Sequence, residues 1–82
     1  MTISAEISYY PLNEQYIEPI KGFIKRLNAH AGLTVITNSM STQVFGEYHT
    51  VMQALTDEIY CSFELPHSVF VLKIINADLN PS

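Results

Sequence analysis

Hydrophobic and polar side chains alternate along the first ten residues of the chain. The alternation has a period of two, with Ile3, Ala5, Ile7 and Tyr9 in one set and Ser4, Glu6, Ser8 and Tyr10 in the other. This pattern is typical of a half-buried β-strand, and Pro11, which has no N–H, should end it. We expect the first set to face a core and the second to lie on an open sheet face.

In two stretches of the chain the apolar residues recur with the spacing of one face of a helix. The first stretch runs from about Gln15 to Ala31 and carries Tyr16, Ile17, Ile20, Phe23, Ile24, Leu27 and Ala31. Pro19 fits only in a first turn, which sets the predicted start near Gln15. The second helix is predicted from Tyr48 to Phe63, with Pro66 barring its continuation, and its apolar positions are Tyr48, Val51, Met52, Leu55 and Ile59.

Three further segments are predicted to be strands, at Leu33–Asn38, Thr42–Glu47 and Ser68–Asn76. The element order is then β-α-β-β-α-β. Two interlocking β-α-β units give a ferredoxin-like α+β plait, whose antiparallel four-stranded sheet has the order 4-1-3-2 and both helices on one face. We expect one domain over residues 1–82, with a frayed tail at 76–82.

The composition of the chain predicts an interface. Hydrophobic residues make up 48% of the 82 positions and charged residues only 15%, which is more apolar surface than one small core hides. In the last strand we expect Phe70, Leu72 and Ile74 to face the core. Val69, Val71 and Ile75 are then expected on the open face beside Glu6 and Lys73. We interpret this mixture as a surface that packs against a second subunit or a ligand, rather than as scattered exposed apolar residues.

Charge narrows the choice of partners. Four basic residues against eight acidic ones give a net charge of −4, which disfavours nucleic acid and suits a neutral or cationic small ligand. No apolar run is long enough to cross a membrane, no secretory signal is visible, and the single Cys61 cannot form an internal disulfide. We therefore expect a cytoplasmic protein in which Cys61 is a small buried apolar residue.

Catalytic and metal-binding motifs are missing from the sequence. His30, His49 and His67 lack partners at metal-ligand spacing, and no serine has a base and an acid beside it. We expect a non-catalytic protein without metal or cofactor. Two alternatives stay open: a small dimeric α+β-barrel enzyme acting on an aromatic or lactone substrate, with His49 or Glu64 as its acid–base group, and a purely structural oligomerisation module.

The segment from Asn38 to Tyr48 is the candidate binding region. Its polar run, Asn38 to Thr42, offers amides and hydroxyls near the aromatic side chains of Phe45 and Tyr48. This is the usual make-up of a site for a small heterocycle, although a solvated hairpin turn explains the polar run equally well. Glu47 is interpreted as stabilising the dipole of the second helix rather than as part of a phosphate site.

Short motifs in this order resemble the YkoF-like family of thiamine- and hydroxymethylpyrimidine-binding proteins. They are Ala5-Glu6-Ile7-Ser8, Pro11-Leu12, Met40-x-Thr42, Gly46-Glu47 and Val51-Met52-x-x-Leu55. The resemblance implies a ferredoxin-like domain that associates through sheet faces and edges, as a homodimer or homotetramer. It also implies binding of thiamine or its hydroxymethylpyrimidine half.

With that ligand, the candidate residues take three roles. Glu6 would pair with the thiazolium cation or a pyrimidine nitrogen, unless it is only the cross-strand partner of Lys73. Neutral hydrogen bonds would come from Ser8, Asn38, Ser39 and Thr42. Stacking on a ring would come from Tyr10, Phe45 or Tyr48, since an aromatic face attracts a cation.

Overall fold

The computed structural model describes residues 1–82. Its elements are β1 (Thr2–Pro11), α1 (Ile17–Asn28), β2 (Thr34–Thr37), β3 (Thr42–Glu47), α2 (Tyr48–Ser62) and β4 (Ser68–Ile75). The strands form one antiparallel sheet in the order β2-β3-β1-β4. The predicted ferredoxin-like α+β fold and strand order are confirmed.

The core lies between one face of the sheet and both helices. The inward set of β1 predicted from the alternation is confirmed, and it packs with buried side chains from β3, α1 and α2. The core cluster comprises Ile3, Ala5, Ile7, Tyr9, Phe23, Leu27, Val44, Val51, Ala54 and Leu55. Because both helices contribute to this one cluster, the other face of the sheet carries no helix. That face is available for a site.

Helix α1 begins two residues later than the predicted Gln15. Tyr16 occupies the N-cap position and makes no side-chain cap hydrogen bond. Pro19 still falls within the first turn, where its missing N–H costs nothing. The Asn13 side chain instead accepts a hydrogen bond from the backbone N–H of Gln15 at 2.9 Å, forming a local turn before the helix.

Helix α2 follows β3 without a loop. The Glu47 carboxylate caps it by accepting hydrogen bonds from the backbone N–H groups of His49 at 3.0 Å and Thr50 at 3.4 Å. The bond from His49 is the main reason that the pKa of Glu47 lies below its ordinary value. Glu47 therefore serves the helix N-terminus, as the sequence suggested. Just before it, a Cβ at Gly46 would lie 3.0 Å from the carbonyl oxygen of Gly32, so this close approach favours glycine.

A polar network joins the two helices. The Glu58 carboxylate, on a side chain only 14% exposed, lies 2.7 Å from both Arg26 Nε and His30 Nε2. Arg26 also donates to the Ser62 hydroxyl at 2.8 Å. Burial works to raise the pKa of Glu58, but the hydrogen bonds from His30 and Arg26 and their charge outweigh it and lower the pKa. The network fixes α1 against α2 above the core.

Two expectations about side-chain burial differ from the structure. Cys61 is exposed rather than buried, because it lies on the outer side of α2. Leu72 and Ile74 share the helix-side register of Ile7 and Ala5, yet they are 38% and 45% exposed. Strand β4 is the sheet edge, and only Phe70 reaches the core from it, stacking on Tyr9 with ring centroids 4.2 Å apart.

The chain end also differs from a frayed tail. The backbone of Ala77 and Leu79 is hydrogen-bonded to Ser4 on β1. Within the tail, the Asp78 side chain accepts from the N–H of Asn80, and the Asn80 side chain accepts from Ser82. Neither helix of the protein is long and apolar enough to cross a membrane.

Candidate functional site

The open sheet face is set by the register of the strands. In antiparallel pairs, partners point to the same side of the sheet. Glu6 is opposite Gln43 on β3 and Lys73 on β4, while Ser4 is opposite Phe45 and Ile75. These six side chains therefore share the face away from the helices. They form a contiguous patch across three strands.

An open concavity of about 600 Å³ covers this patch. Its lining combines apolar surface with a carboxylate, an amide and an ammonium group, and consists of Ser4, Ala5, Glu6, Gln43, Phe45, Lys73, Ile74, Ile75 and Leu79. The volume falls in the range of sites that hold small organic ligands, and so does the mixture of apolar lining with a few polar groups. We call this concavity the open-face cavity.

Glu6 is the charged acceptor of the open-face cavity. Its Oε1 lies 3.2 Å from Lys73 Nζ, and its Oε2 accepts a hydrogen bond from the Ser41 hydroxyl at 3.0 Å. The hydrogen bond from Lys73, then the one from Ser41, lower the pKa of Glu6 below its ordinary value. The carboxyl is therefore ionised throughout the neutral range. The predicted cross-strand pairing of Glu6 with Lys73 is present.

The C-terminal tail forms one wall of the cavity. Ser4 Oγ donates to the carbonyl oxygen of Ala77 at 2.7 Å and accepts from the N–H of Leu79 at 2.8 Å. Ser4 and Phe45 are only 6% and 5% exposed although they face away from the helices. The tail thus converts a flat sheet surface into a concave one.

Most of the hydrogen-bonding residues predicted for the site lie elsewhere. Ser8, Asn38, Ser39 and Thr42 line a separate cleft of about 150 Å³ between the β2–β3 hairpin and α1. The register of Ser8 with Val71 places the Ser8 side chain itself on the open face. Thr42 pairs with Ile7 and is 5% exposed on the helix side. The Asn38 side chain already accepts from the N–H groups of Met40 and Ser41. This cleft is too small for a two-ring ligand.

The three predicted stacking residues are dispersed. Phe45 lines the open-face cavity. Tyr10 lies on the same face opposite Val69, 53% exposed and beyond the cavity. Tyr48 is the first residue of α2, directly after β3, and its N–H donates to the carbonyl oxygen of Met1 at 2.9 Å. The structure brings Glu6 and Phe45 together and separates Tyr10 and Tyr48 from them.

Seven of the nine lining residues were not among the candidates: Ser4, Ala5, Gln43, Lys73, Ile74, Ile75 and Leu79. The alternation along β1 and β3 carries the signal for Ser4 and Gln43, since each lies two residues from a candidate on the same strand. Ile75 follows from the alternation of β4. Leu79 has no such signal, because it belongs to no strand or helix.

The candidates for catalysis and metal binding lie outside the cavity. His49 and Glu64 are both exposed, and neither lines the open-face cavity or the hairpin cleft. No group of three or more His, Cys, Asp or Glu side chains is arranged to hold a metal ion. Among the residues that line the open-face cavity, Glu6 supplies the carboxylate.

Comparisons with known proteins show which solved structures share the fold. Neither a family model nor a curated protein sequence matches the chain. Solved structures do match: a hypothetical protein from Methanocaldococcus jannascii aligns over 96% of this chain and 84% of its own, at 23% identity and a TM-score of 0.81. A Streptococcus pneumoniae protein aligns over 96% and 90% of the two chains, at 20% identity and a TM-score of 0.88.

A third similar structure has a functional description. It is a "putative thiamine biosynthesis/salvage protein" from Thermotoga maritima, which aligns over 94% of this chain and 85% of its own, at 19% identity and a TM-score of 0.83. At these identities the likeness establishes a shared fold. The chain is thus a small ferredoxin-like α+β domain with a cavity on its open sheet face.

Proposed function

We propose that the protein is a non-catalytic binding protein for a small nitrogen heterocycle, with thiamine or its hydroxymethylpyrimidine half as the ligand. The observation that carries the proposal is the open-face cavity, where the ionised Glu6 lies above apolar lining from Phe45 and Ile75. The sequence resemblance and the Thermotoga maritima neighbour support the choice of thiamine.

The chemistry of thiamine complements the cavity. Its thiazolium ring carries a fixed positive charge, which suits a carboxylate that is held ionised and retains unused acceptor positions. Its aminopyrimidine both donates and accepts hydrogen bonds, as the Gln43 side-chain amide does. Apolar lining from Phe45, Ile75 and Leu79 would remove the faces of the rings from water.

We also propose that the protein works as a homo-oligomer assembled through β4. This strand has β1 on one side and no strand on the other. Apolar side chains are exposed on both of its faces, with Leu72 and Ile74 at 38% and 45% and Val71 and Ile75 at 52% and 46%. An unpaired apolar edge is matched by a second β-strand, and an antiparallel copy of β4 would supply one.

Calorimetric titration of the protein with thiamine and with hydroxymethylpyrimidine tests the ligand. We expect saturable binding of thiamine, weakened at least about threefold by Glu6→Gln, which removes a charge-assisted contact at a partly exposed site. Glu18→Gln is the matched control, because Glu18 lies in the first turn of α1 on the opposite side of the sheet.

Two results would overturn the proposal. One is the absence of heat and of a thermal shift for both ligands at millimolar concentration. The other is equal loss of affinity in the Glu6 and Glu18 variants, which would mean that only net charge matters.

A further inference from the structure

Lys73, the charge partner of Glu6, has a largely exposed side chain that is free to move. Lys73 Nζ is 3.2 Å from Glu6 Oε1, but the Lys73 side chain is 80% exposed, and that of Glu6 is 37% exposed. Lys73 makes no other hydrogen bond or ion pair. An exposed pair between a long side chain and a carboxylate contributes little stability, so thermal motion breaks it readily.

Ser41 holds the same carboxylate from the other side. Its hydroxyl donates to Glu6 Oε2 at 3.0 Å from the β2–β3 hairpin, and a short serine side chain has little freedom to swing away. The two contacts therefore differ in kind: Ser41 orients the carboxylate, and Lys73 neutralises it. Removal of the ammonium group would leave an oriented, ionised acceptor at the cavity.

We propose that Lys73 is a built-in competitor for the cation site, which a positively charged ligand has to displace from Glu6. The proposal rests on the proposed function and specifies the ligand class as a fixed organic cation with an aromatic ring. In the empty protein the ammonium group of Lys73 takes the position of the ligand's charge beside Glu6. A cationic ligand displaces it into solvent, whereas a neutral ligand leaves the pair in place.

The exchange affects neutral, anionic and cationic ligands differently. A neutral heterocycle gains nothing from the Glu6 charge while Lys73 neutralises it, and an anionic one is repelled by Glu6 once Lys73 moves away. A cation instead exchanges one ion pair for another and adds the apolar contacts of the cavity. Lys73 thereby reduces the affinity for every cation slightly and keeps an uncompensated carboxylate from lying beside apolar surface.

The test is titration calorimetry of the full chain with thiamine, and with hydroxymethylpyrimidine at a mildly alkaline pH where the pyrimidine is neutral. We expect Lys73→Met to tighten thiamine binding by about two- to fivefold, the size of an exposed ion pair that no longer has to be broken. Hydroxymethylpyrimidine affinity should stay unchanged. Lys21→Met is the matched control: it removes the same charge from α1, across the sheet from the cavity.

A double-mutant cycle separates competition from general electrostatics. In a Glu6→Gln background, Lys73→Met should no longer tighten thiamine binding, because the competed acceptor is gone. Weaker or unchanged thiamine binding in Lys73→Met, or an equal gain in Lys21→Met, overturns the competitor role while leaving thiamine binding intact. If neither the parent protein nor Lys73→Met binds thiamine, the proposed function itself fails, and the competitor role fails with it.

Discussion

The Ser4 hydroxyl on β1 accepts a hydrogen bond from the backbone N–H of Leu79, 75 residues later in the chain, at 2.8 Å. The same hydroxyl donates to the carbonyl oxygen of Ala77. One small side chain thus fixes the C-terminal tail on the open sheet face. The wall of the open-face cavity depends on this contact, since the other tail hydrogen bonds are internal to residues 78–82.

Ser4→Ala should release the tail. The variant loses both hydrogen bonds, each worth about 0.5–1.5 kcal/mol, and the freed groups of Ala77 and Leu79 turn to water. Hydrogen exchange followed by NMR should show faster exchange of the Leu79 amide while the core amides of β1 keep their protection. Ser8→Ala is the control, because Ser8 is on the same face opposite Val71. Unchanged exchange at Leu79 would mean that Ser4 does not hold the tail.

The pKa of Glu6 should depend on its hydrogen bond from Ser41 in the β2–β3 hairpin. Ser41 donates to the carboxylate and helps to lower its pKa, so Ser41→Ala should raise that pKa toward the ordinary value. Carboxyl carbon shifts followed by NMR against pH measure the change directly. Ser39→Ala, at an exposed neighbour in the same turn, should leave the pKa of Glu6 where it is. A pKa insensitive to Ser41→Ala contradicts the observed hydrogen bond.

Acid should weaken the packing of α1 on α2. The pKa of Glu58 is lower in the folded protein than its ordinary value of 4.5, so its contribution to stability is complete above that value. The contribution is lost as the pH falls through the folded pKa. Glu58→Gln should destabilise the protein at neutral pH by about 1–3 kcal/mol, because the ionic contacts of Arg26 and His30 are lost.

The measurement for Glu58 is urea unfolding at a series of pH values. The difference in unfolding free energy between the parent protein and Glu58→Gln should shrink on acidification below pH 4.5. Glu64→Gln is the control at an exposed position after α2, where surface substitutions change stability little. A difference that does not vary with pH would contradict the ionic role of Glu58.

Substitution on the β4 edge should alter the oligomeric state. A charge at Leu72 would place like charges close together in a pairing of two β4 strands. Light scattering coupled to size-exclusion chromatography should therefore give a smaller mass for Leu72→Lys than for the parent protein. Met40→Lys, at a hairpin residue that is 87% exposed, should keep the parent mass. A monomeric parent protein at high concentration would exclude assembly through β4.

The fold could be predicted because its signals are local and consistent. The alternation in β1, the helical spacing in α1 and α2, and the stop at Pro66 each identify an element, and their order leaves few topologies. The observed boundaries differ from the predicted ones by one to three residues. Helix α1 begins at Ile17 rather than Gln15, where no polar side chain caps it, and ends at Asn28 rather than Ala31. The exposure of side chains on β4 is harder to predict. Alternation shows which face of the sheet Leu72 and Ile74 are on, but not how far the helices extend over them.

The site was only partly predictable, for two physical reasons. Thr42 and Phe45 lie three residues apart on β3, so their side chains point to opposite faces of the sheet. The alternation along this strand already indicates that separation. The position of the C-terminal tail, in contrast, could not be predicted from the sequence. Its attachment to Ser4 is a contact between the two ends of the chain, and neither periodicity nor a motif indicates it.

We expect a cationic heterocycle to bind in the open-face cavity beside Glu6. The most direct measurement is an NMR titration of the isotope-labelled full chain with thiamine, in which every backbone amide is followed. Binding at this site should give saturable shift changes centred on Glu6, Gln43 and Ile75, and also at Leu79 on the tail. No change at millimolar thiamine, or changes confined to the cleft around Asn38 and Ser39, would contradict it.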